Sequence, residues 1–242
     1  LKALSPQGHG PVRDCLEKAV AHDPNYGEAW AWLAWVYMLE YEHGFNPRPE
    51  LYDARDQALQ AGLRAIDLDP NSAVVQRHLF WIRFMRHEND AALAGTERAL
   101  ALNPNDPDIL CLSGLATAFI GKWERGIALT KKAMALTPNY PTWCHFVTSA
   151  DLYLRGEYEQ SLGEALRIEM PDFYWTHAFL AMNYGQLSRK EEARAAVARL
   201  LKLYPDFGAS FRREGRKRSW TDGDIERYID GLRKAGLAIP PE

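Results

Sequence analysis

Residues 99–108 of the chain read ALALNPNDPD, and residues 133–142 read AMALTPNYPT. The two stretches begin 34 residues apart and carry a proline at the same place, Pro104 in the first and Pro138 in the second. Proline cannot continue a helix, and the residue before it is pushed out of the helical region of backbone space. Each stretch therefore predicts the end of one helix and a turn toward the next.

The same pattern, an aliphatic segment followed by proline and then Asn or Asp, recurs along the chain. The prolines concerned are Pro24, Pro70, Pro104, Pro138, Pro171 and Pro205. Four of the five intervals are 33 or 34 residues long, and the first is longer than 34 by 12 residues. The surplus lies around residues 40–52, where Pro47 and Pro49 are poor helix residues. We therefore expect one repeat to hold an inserted loop.

Between the prolines, apolar residues recur at helical spacing, and each period is long enough for two helices. Two antiparallel helices with a short connection pack closely only if the side chains at their crossing are small. Small residues occur at the equivalent place of all five periods, namely Ala58, Ala92, Gly126, Ser161 and Ala193. The pattern predicts an all-α chain of stacked helical hairpins.

A 34-residue hairpin with these small residues, with Trp30, Leu33, Ala34 and Tyr37 in its first helix, resembles the tetratricopeptide repeat. The resemblance implies a right-handed α-α superhelix with about five hairpins, an N-terminal half repeat and a C-terminal capping helix. We expect a half repeat at 1–26, five repeats at 27–72 (with the insertion), 73–106, 107–140, 141–173 and 174–207, and a basic helix and cap at 208–242. These parts are expected to form one continuous solenoid domain.

The second repeat departs from the family pattern at two places. Phe80 stands where a small residue is expected, and Arg83 stands where Tyr is expected. We expect this hairpin to open differently or to expose that face. The departure is either functional or simple drift, and we favour drift.

Composition and charge exclude several classes of protein. The net charge of −3 does not indicate a nucleic-acid binder, and no run of residues approaches the length of a membrane span. The three cysteines, Cys15, Cys111 and Cys144, lack CxxC spacing and are interpreted as reduced thiols, which favours a cytoplasmic compartment. The chain begins without Met or a signal peptide, so we expect it to be a piece of a longer protein.

No sequence pattern points to catalysis. The chain has no phosphate-binding glycine loop, no GxSxG and no HExxH, and its seven histidines show no metal-binding spacing. We expect no catalytic residue, no cofactor and no metal, and interpret the chain as a non-enzyme.

The tetratricopeptide resemblance implies instead a concave groove, lined by the first helix of each hairpin, that binds a protein or peptide. The matching side chains are mostly aromatic or Met, with one Arg as a charged anchor. They are Trp35, Met38, Arg77, Trp81, Phe84, Met85, Phe119, Trp175 and Met182. The alternative is that several of these aromatics pack between neighbouring repeats, and for Trp35 and Trp81 the two interpretations have equal weight.

One familiar ligand is not expected in this groove. Chaperone-binding members of the family hold a C-terminal carboxylate with Lys and Asn in their first repeat, and here those places are Ala31 and Trp35. An acidic chaperone tail is therefore not a predicted partner.

The N-terminal helix carries Val12, Leu16 and Ala19 at positions of a second hairpin helix. Because its own first helix is missing, we expect its apolar face to be covered, either by upstream sequence of the full protein or by another copy of the chain. For the chain as given, we predict self-association through Val12 and Leu16.

The C-terminal segment contains a basic cluster and a predicted capping helix. The cluster is Arg212, Arg213, Arg216, Lys217 and Arg218. One interpretation is that it holds phosphate or nucleic acid, but a solvated helix face, or pairing with an acidic surface of the repeats, is favoured. Beyond it, Ile225, Tyr228, Ile229 and Leu232 are spaced as one apolar helix face, which predicts the cap.

The same segment resembles the repeat arms of bacterial class III adenylate and guanylate cyclases. The resemblance rests on Asp206, Phe207, Gly231, Leu232, Lys234, Ala235, Gly236 and Leu237. It implies, as an alternative to a protein-binding scaffold, a regulatory or oligomerisation arm of a cyclase-type signalling protein.

Overall fold

Helices make up all the regular structure of the computed structural model, which describes residues 6–241. The α-helices of this range are α1 (Pro6–His22), α2 (Gly27–His43), α3 (Ala54–Leu68), α4 (Ala73–Met85), α5 (Asn89–Leu102), α6 (Pro107–Phe119), α7 (Trp123–Leu136), α8 (His145–Leu154), α9 (Tyr158–Ala165), α10 (Tyr174–Gln186), α11 (Lys190–Leu203), α12 (Phe207–Lys217) and α13 (Asp222–Lys234). A short 3-10 helix, Thr142–Cys144, precedes α8. Residues 1–5 of the predicted half repeat and residue 242 lie outside the described residues. The predicted all-α repeat fold is confirmed.

The repeated prolines set the helix ends, as the sequence predicts. Helices α1, α3, α5, α7 and α11 each end two residues before one of these prolines. Several following helices begin at a side-chain cap, since Ser72 accepts a hydrogen bond from the Val75 N–H, and Asp106 accepts one from the Ile109 N–H. Proline and capping residue together turn the chain at each repeat boundary.

The chain divides into two compact units, one up to Ala116 and the other from Thr117. In the first unit, α2 packs on α3 and α4 packs on α5, while α1 packs on α2. In the second unit, α8 packs on α9 and α10 packs on α11. Each unit is thus built from antiparallel hairpins of consecutive helices, and the boundary between the units falls within α6.

The small residues at the predicted crossings are all buried. They are Ala58, Ala92, Gly126, Ser161 and Ala193. In the fourth repeat the two crossing helices are also hydrogen-bonded, since the Ser161 hydroxyl donates to the carbonyl of Ser149 at 2.8 Å. Small side chains therefore allow the close packing of each hairpin.

The second repeat does not expose Phe80, so the expectation of an exposed face at this position is wrong. Phe80 is fully buried, and Gly95 of α5 lies against it. A Cβ atom on Gly95 would lie 2.7 Å from the Cβ of Phe80, so glycine makes the room that the large side chain needs. At this contact the small residue therefore lies on α5, as Gly95, and the large residue lies on α4, as Phe80.

The inserted segment at residues 40–52 is only partly a loop. Helix α2 continues into it as far as His43 and is capped by Gly44, whose φ of 68° favours glycine. Beyond this turn, Arg48 reaches back to α1, where its guanidinium donates to Asp14 at 2.6 Å and to Glu17 at 3.3 Å. The insertion thus ties α1 to the first repeat.

A buried carboxylate completes this tie. Glu40 of α2 accepts hydrogen bonds from the Arg13 guanidinium at 2.5 Å, from the Tyr52 hydroxyl at 3.0 Å and from the Arg48 N–H at 3.1 Å. Arg13 and Glu40 are both 3% exposed, and a buried charge pair needs such additional hydrogen bonds to offset its desolvation. The segment therefore has a structural role within the first unit.

Two further expectations concern α1 and the cysteines. Val12 and Leu16 on α1 are half-buried, and self-association through them stays a prediction. Cys15 is exposed and free, whereas Cys111 is fully buried and disulfide-bonded, as is Cys144. The interpretation of these last two as reduced thiols is wrong, and the cysteines no longer support a reducing compartment.

Candidate peptide-binding surface

Most of the predicted groove side chains lie inside the protein. Seven of the nine are buried, namely Met38, Trp81, Phe84, Met85, Phe119, Trp175 and Met182, and the other two, Trp35 and Arg77, are half-buried. A buried side chain has little surface to offer a partner. The burial favours the alternative in which these residues pack within the chain.

Trp81 illustrates this packing in the first unit. Its indole N–H donates to the Glu42 carboxylate at 3.1 Å, and its ring lies 5.0 Å from that of Phe84, between centroids. Both the apolar and the polar part of the indole are therefore used inside the unit. Of the two interpretations with equal weight for Trp81, the geometry favours the core.

In the second unit, the end of the chain covers the predicted groove residues. The Trp220 ring lies 5.7 Å from Phe119 and 5.4 Å from Trp175, between centroids. Trp175 also contacts Phe207 of α12, and the Arg218 guanidinium lies 4.6 Å above its ring. These aromatics form a continuous cluster with the C-terminal helices.

Helix α13 completes the cover by packing on α10. The hydroxyl of Tyr153 on α8 donates to the carbonyl of Arg227 at 3.1 Å, and the Gln186 amide of α10 donates to the Asp230 carboxylate at 2.9 Å. Ile225 and Tyr228 of α13 are fully buried. The predicted capping helix thus lies on α10. This helix is the first of its hairpin, and the family resemblance predicts that such helices line the ligand groove.

The basic cluster is paired with acidic side chains of its own unit. Each of its five members has a carboxylate oxygen within 4 Å: Arg212 pairs with Glu226, Arg216 with Asp222, and Arg213, Lys217 and Arg218 with Glu214. Glu214 is almost fully buried. This arrangement favours a structural role for the cluster over phosphate binding.

The first unit, by contrast, keeps a partly exposed aromatic surface where α2 meets α4. Trp32 is 39% exposed, and Trp35, one helical turn further on, is half-buried. The two indoles flank the His78 ring, each at 4.9 Å between centroids. We call Trp32, Trp35, Arg77 and His78 the Trp–Arg patch.

Sequence reasoning identified Trp35 and Arg77 but missed Trp32 and His78. Trp32 lies outside the positions that the family resemblance assigns to the groove, and His78 follows Arg77 directly in sequence. A tryptophan three residues before another on one helix was the available signal, because residues at this spacing share a face.

Hydrogen bonds fix the protonation state of His78. Its Nδ1 lies 3.0 Å from the carbonyl oxygen of Ala31, and its Nε2 lies 3.0 Å from the Arg77 guanidinium. The guanidinium can only donate, so Nε2 is the acceptor and Nδ1 carries the proton. Burial, together with the adjacent charge of Arg77, lowers the pKa of His78 to about 3. The imidazole is therefore neutral and orients Arg77.

The charge of Arg77 is incompletely satisfied. Its Nε is buried without a hydrogen-bond partner, and within the described range no carboxylate lies within ion-pair distance of its guanidinium. Burial lowers the pKa of Arg77, while the charges of Asp108 and Asp106 act in the opposite direction. Burial also raises the pKa of Asp108. The Trp–Arg patch thus combines exposed aromatic surface with a partly desolvated cation.

Over residues 6–241, no group of three or more His, Cys, Asp or Glu side chains is arranged to hold a metal ion. None of the helices in this range is long and apolar enough to cross a membrane.

The helical hairpins give the chain the fold of tetratricopeptide-repeat proteins. No protein-family model matches the sequence, and no curated protein matches it.

Solved structures share the fold. PilW, a widely conserved type IV pilus biogenesis factor, is 18% identical over 82% of this chain and 87% of its own, with a TM-score of 0.59. The APC/C hetero-tetramer Cut9–Hcn1 matches 91% of this chain and 39% of its own at 16% identity, with a TM-score of 0.65. TTC0263, a thermophilic TPR protein of Thermus thermophilus, is 20% identical over 76% of this chain and 95% of its own, with a TM-score of 0.55. Identities this low establish a shared fold and nothing about activity.

Proposed function

We propose that the chain is a non-catalytic interaction scaffold that binds an extended peptide or a helix of a partner protein on the Trp–Arg patch of its first unit. The tetratricopeptide fold supports a protein-binding role of this kind. The observation that carries the proposal is the exposure of Trp32 beside the half-buried Trp35, since tryptophan is a residue of binding hot spots.

We place the peptide-binding surface on the first unit because the predicted groove residues of the second unit are buried. In the second unit, α13 and Trp220 pack on the helices that the resemblance assigns to a ligand. In the first unit, Trp32 and Val74 are each more than one third exposed. The scaffold therefore offers its ligand surface on α2 and α4.

The narrower predictions rest on the sequence alone. A place in a bacterial signalling protein, a cytoplasmic compartment and the alternative role as a cyclase arm have no structural observation in their favour. Phosphate or nucleic-acid binding by the basic cluster is disfavoured by its ion pairs.

Selection of displayed random peptides on the purified chain tests the proposal. The affinity of a selected peptide, measured by fluorescence polarisation, should fall at least about tenfold in Trp32→Ala and in Trp35→Ala. Leu63→Ala is the control, because Leu63 is as exposed as Trp32 but lies on α3. Unchanged affinity in both tryptophan variants, with circular dichroism showing that they are folded, would place the binding site elsewhere.

A further inference from the structure

Arg77 has an unusual electrostatic position within the Trp–Arg patch. It is a half-buried cation whose hydrogen-bond partner, His78, is neutral. Its Nε is buried without a partner, and no carboxylate in the described part of the chain forms an ion pair with it. Buried charges in proteins are normally paired, because an unpaired one has lost its hydration without compensation.

Two neighbouring carboxylates do not remove this deficit. The side chain of Asp106 accepts a hydrogen bond from the Ile109 N–H at 3.0 Å and so caps α6. Asp108 acts on Arg77 through its charge but forms no ion pair with it, and it lies in the first turn of α6, where a negative charge is favoured by the helix dipole. The guanidinium therefore retains capacity for a further carboxylate.

From this geometry we infer that Arg77 anchors an Asp or Glu side chain of the bound peptide, and that Trp32 and Trp35 contact the apolar residues beside it. The inference rests on the proposed function and names the chemistry of the ligand. A charge-assisted pair between guanidinium and carboxylate is strong where water is partly excluded, and the Arg77 side chain is half-buried. The His78 ring, held by the Ala31 carbonyl, keeps the guanidinium oriented toward that ligand.

Peptide pools with acetylated and amidated ends test the inference. Three pools carry Glu, Gln or Lys at the centre of three random residues on each side, and retention on the immobilised chain is measured for each. The wild-type chain should retain the Glu pool at least about tenfold better than the Gln pool. Blocking both ends removes terminal carboxylates, so the preference reports an acidic side chain.

Two variants of the chain change this preference in opposite directions. Arg77→Gln should abolish the preference for Glu, and Asp108→Asn should increase it, because the variant loses a carboxylate that competes for the guanidinium. Arg83→Gln is the matched control, because Arg83 is also half-buried with an unpartnered Nε on α4 but lies about 240° further around that helix. A preference that survives in Arg77→Gln, or a preference of the wild-type chain for the Lys pool, would overturn the inference.

Failure of the inference differs from failure of the proposed function. If the wild-type chain retains all three pools equally and Trp32→Ala retains none, the patch binds peptides but Arg77 does not select an acidic side chain. Retention of no pool by the wild-type chain means that both proposals are wrong. Thermal unfolding of each variant shows whether a loss of retention is a loss of folding.

Discussion

Gly185 of α10 and Gly231 of α13 face each other where the two helices cross, and a Cβ on either glycine would clash with the backbone of the other helix. A Cβ on Gly231 would also overlap the hydroxyl of Tyr153. The absence of both side chains allows α13 to lie directly on α10. The two glycines thus fit α13 to this position, where it covers side chains of α10 that the family resemblance assigned to a groove.

Gly185→Ala should weaken the docking of α13. We expect a loss of about 1–3 kcal/mol in the free energy of unfolding, because the added methyl group forces the helices apart. Urea denaturation measures the effect. Gly163→Ala on α9 is the control, since a Cβ there meets no atom within 4 Å, and alanine should stabilise that helix by about 0.5–1 kcal/mol. Equal stability of both variants would show that the crossing is not tight.

Trp81→Ala should destabilise the chain strongly, whereas Trp32→Ala should not. Trp81 is buried and donates a hydrogen bond to Glu42, so its removal leaves a cavity and breaks that hydrogen bond, with an expected cost of about 3–5 kcal/mol. Trp32 is 39% exposed, and its removal should cost less than about 1 kcal/mol. Thermal or chemical unfolding measures the stability of both variants. If Trp81→Ala were as stable as the wild-type chain, the core interpretation of Trp81 would be wrong.

Glu214→Gln should destabilise the second unit, because it leaves Lys217 and Arg218 without their shared carboxylate in a buried place. The expected loss is about 3 kcal/mol. Glu226→Gln is the matched control, as Glu226 pairs with Arg212 but is about half exposed, and a loss of at most about 1 kcal/mol is expected. If the two variants unfold alike, the Glu214 network is not a stabilising element.

His78 should make stability fall as the solution becomes acidic. Its pKa is about 3 in the folded chain and about 6.5 when unfolded, so between these values the unfolded chain binds more protons. The stability contribution is complete above about pH 6.5 and is lost on acidification, with a slope of up to about 1.4 kcal/mol per pH unit. Denaturation of wild-type chain and His78→Gln from pH 4 to 7 measures the difference. A pH dependence as steep in His78→Gln as in the wild-type chain would contradict this prediction.

Local sequence signals predicted the repeat architecture well. A proline ends a helix whatever its surroundings, and the small residues Ala58 and Ala92 mark crossings that recur in every hairpin. These signals act over one repeat, so a single sequence reveals them. The exchange between Phe80 and Gly95 was missed, because it pairs residues whose relation appears only when both helices are in place.

The candidate site was predicted less well, for a physical reason. Assigning Trp175 and Met182 to a groove assumed that their helix faced solvent, whereas a segment further along the chain packs there. Tyr153 and Arg227, which help to hold this segment, are 74 residues apart. Helical periodicity shows which residues share a face, but it does not show what covers the face.

Arg48 belongs to the segment that makes the first repeat longer than the others, and the same residue holds α1 against the first repeat. Deleting the 12 surplus residues would bring the first interval to the common period and make the chain a more perfect repeat. The same deletion would remove the guanidinium that holds Asp14 and Glu17, together with the Tyr52 hydroxyl on Glu40. An engineer who idealised this protein toward a consensus would therefore loosen its first helix.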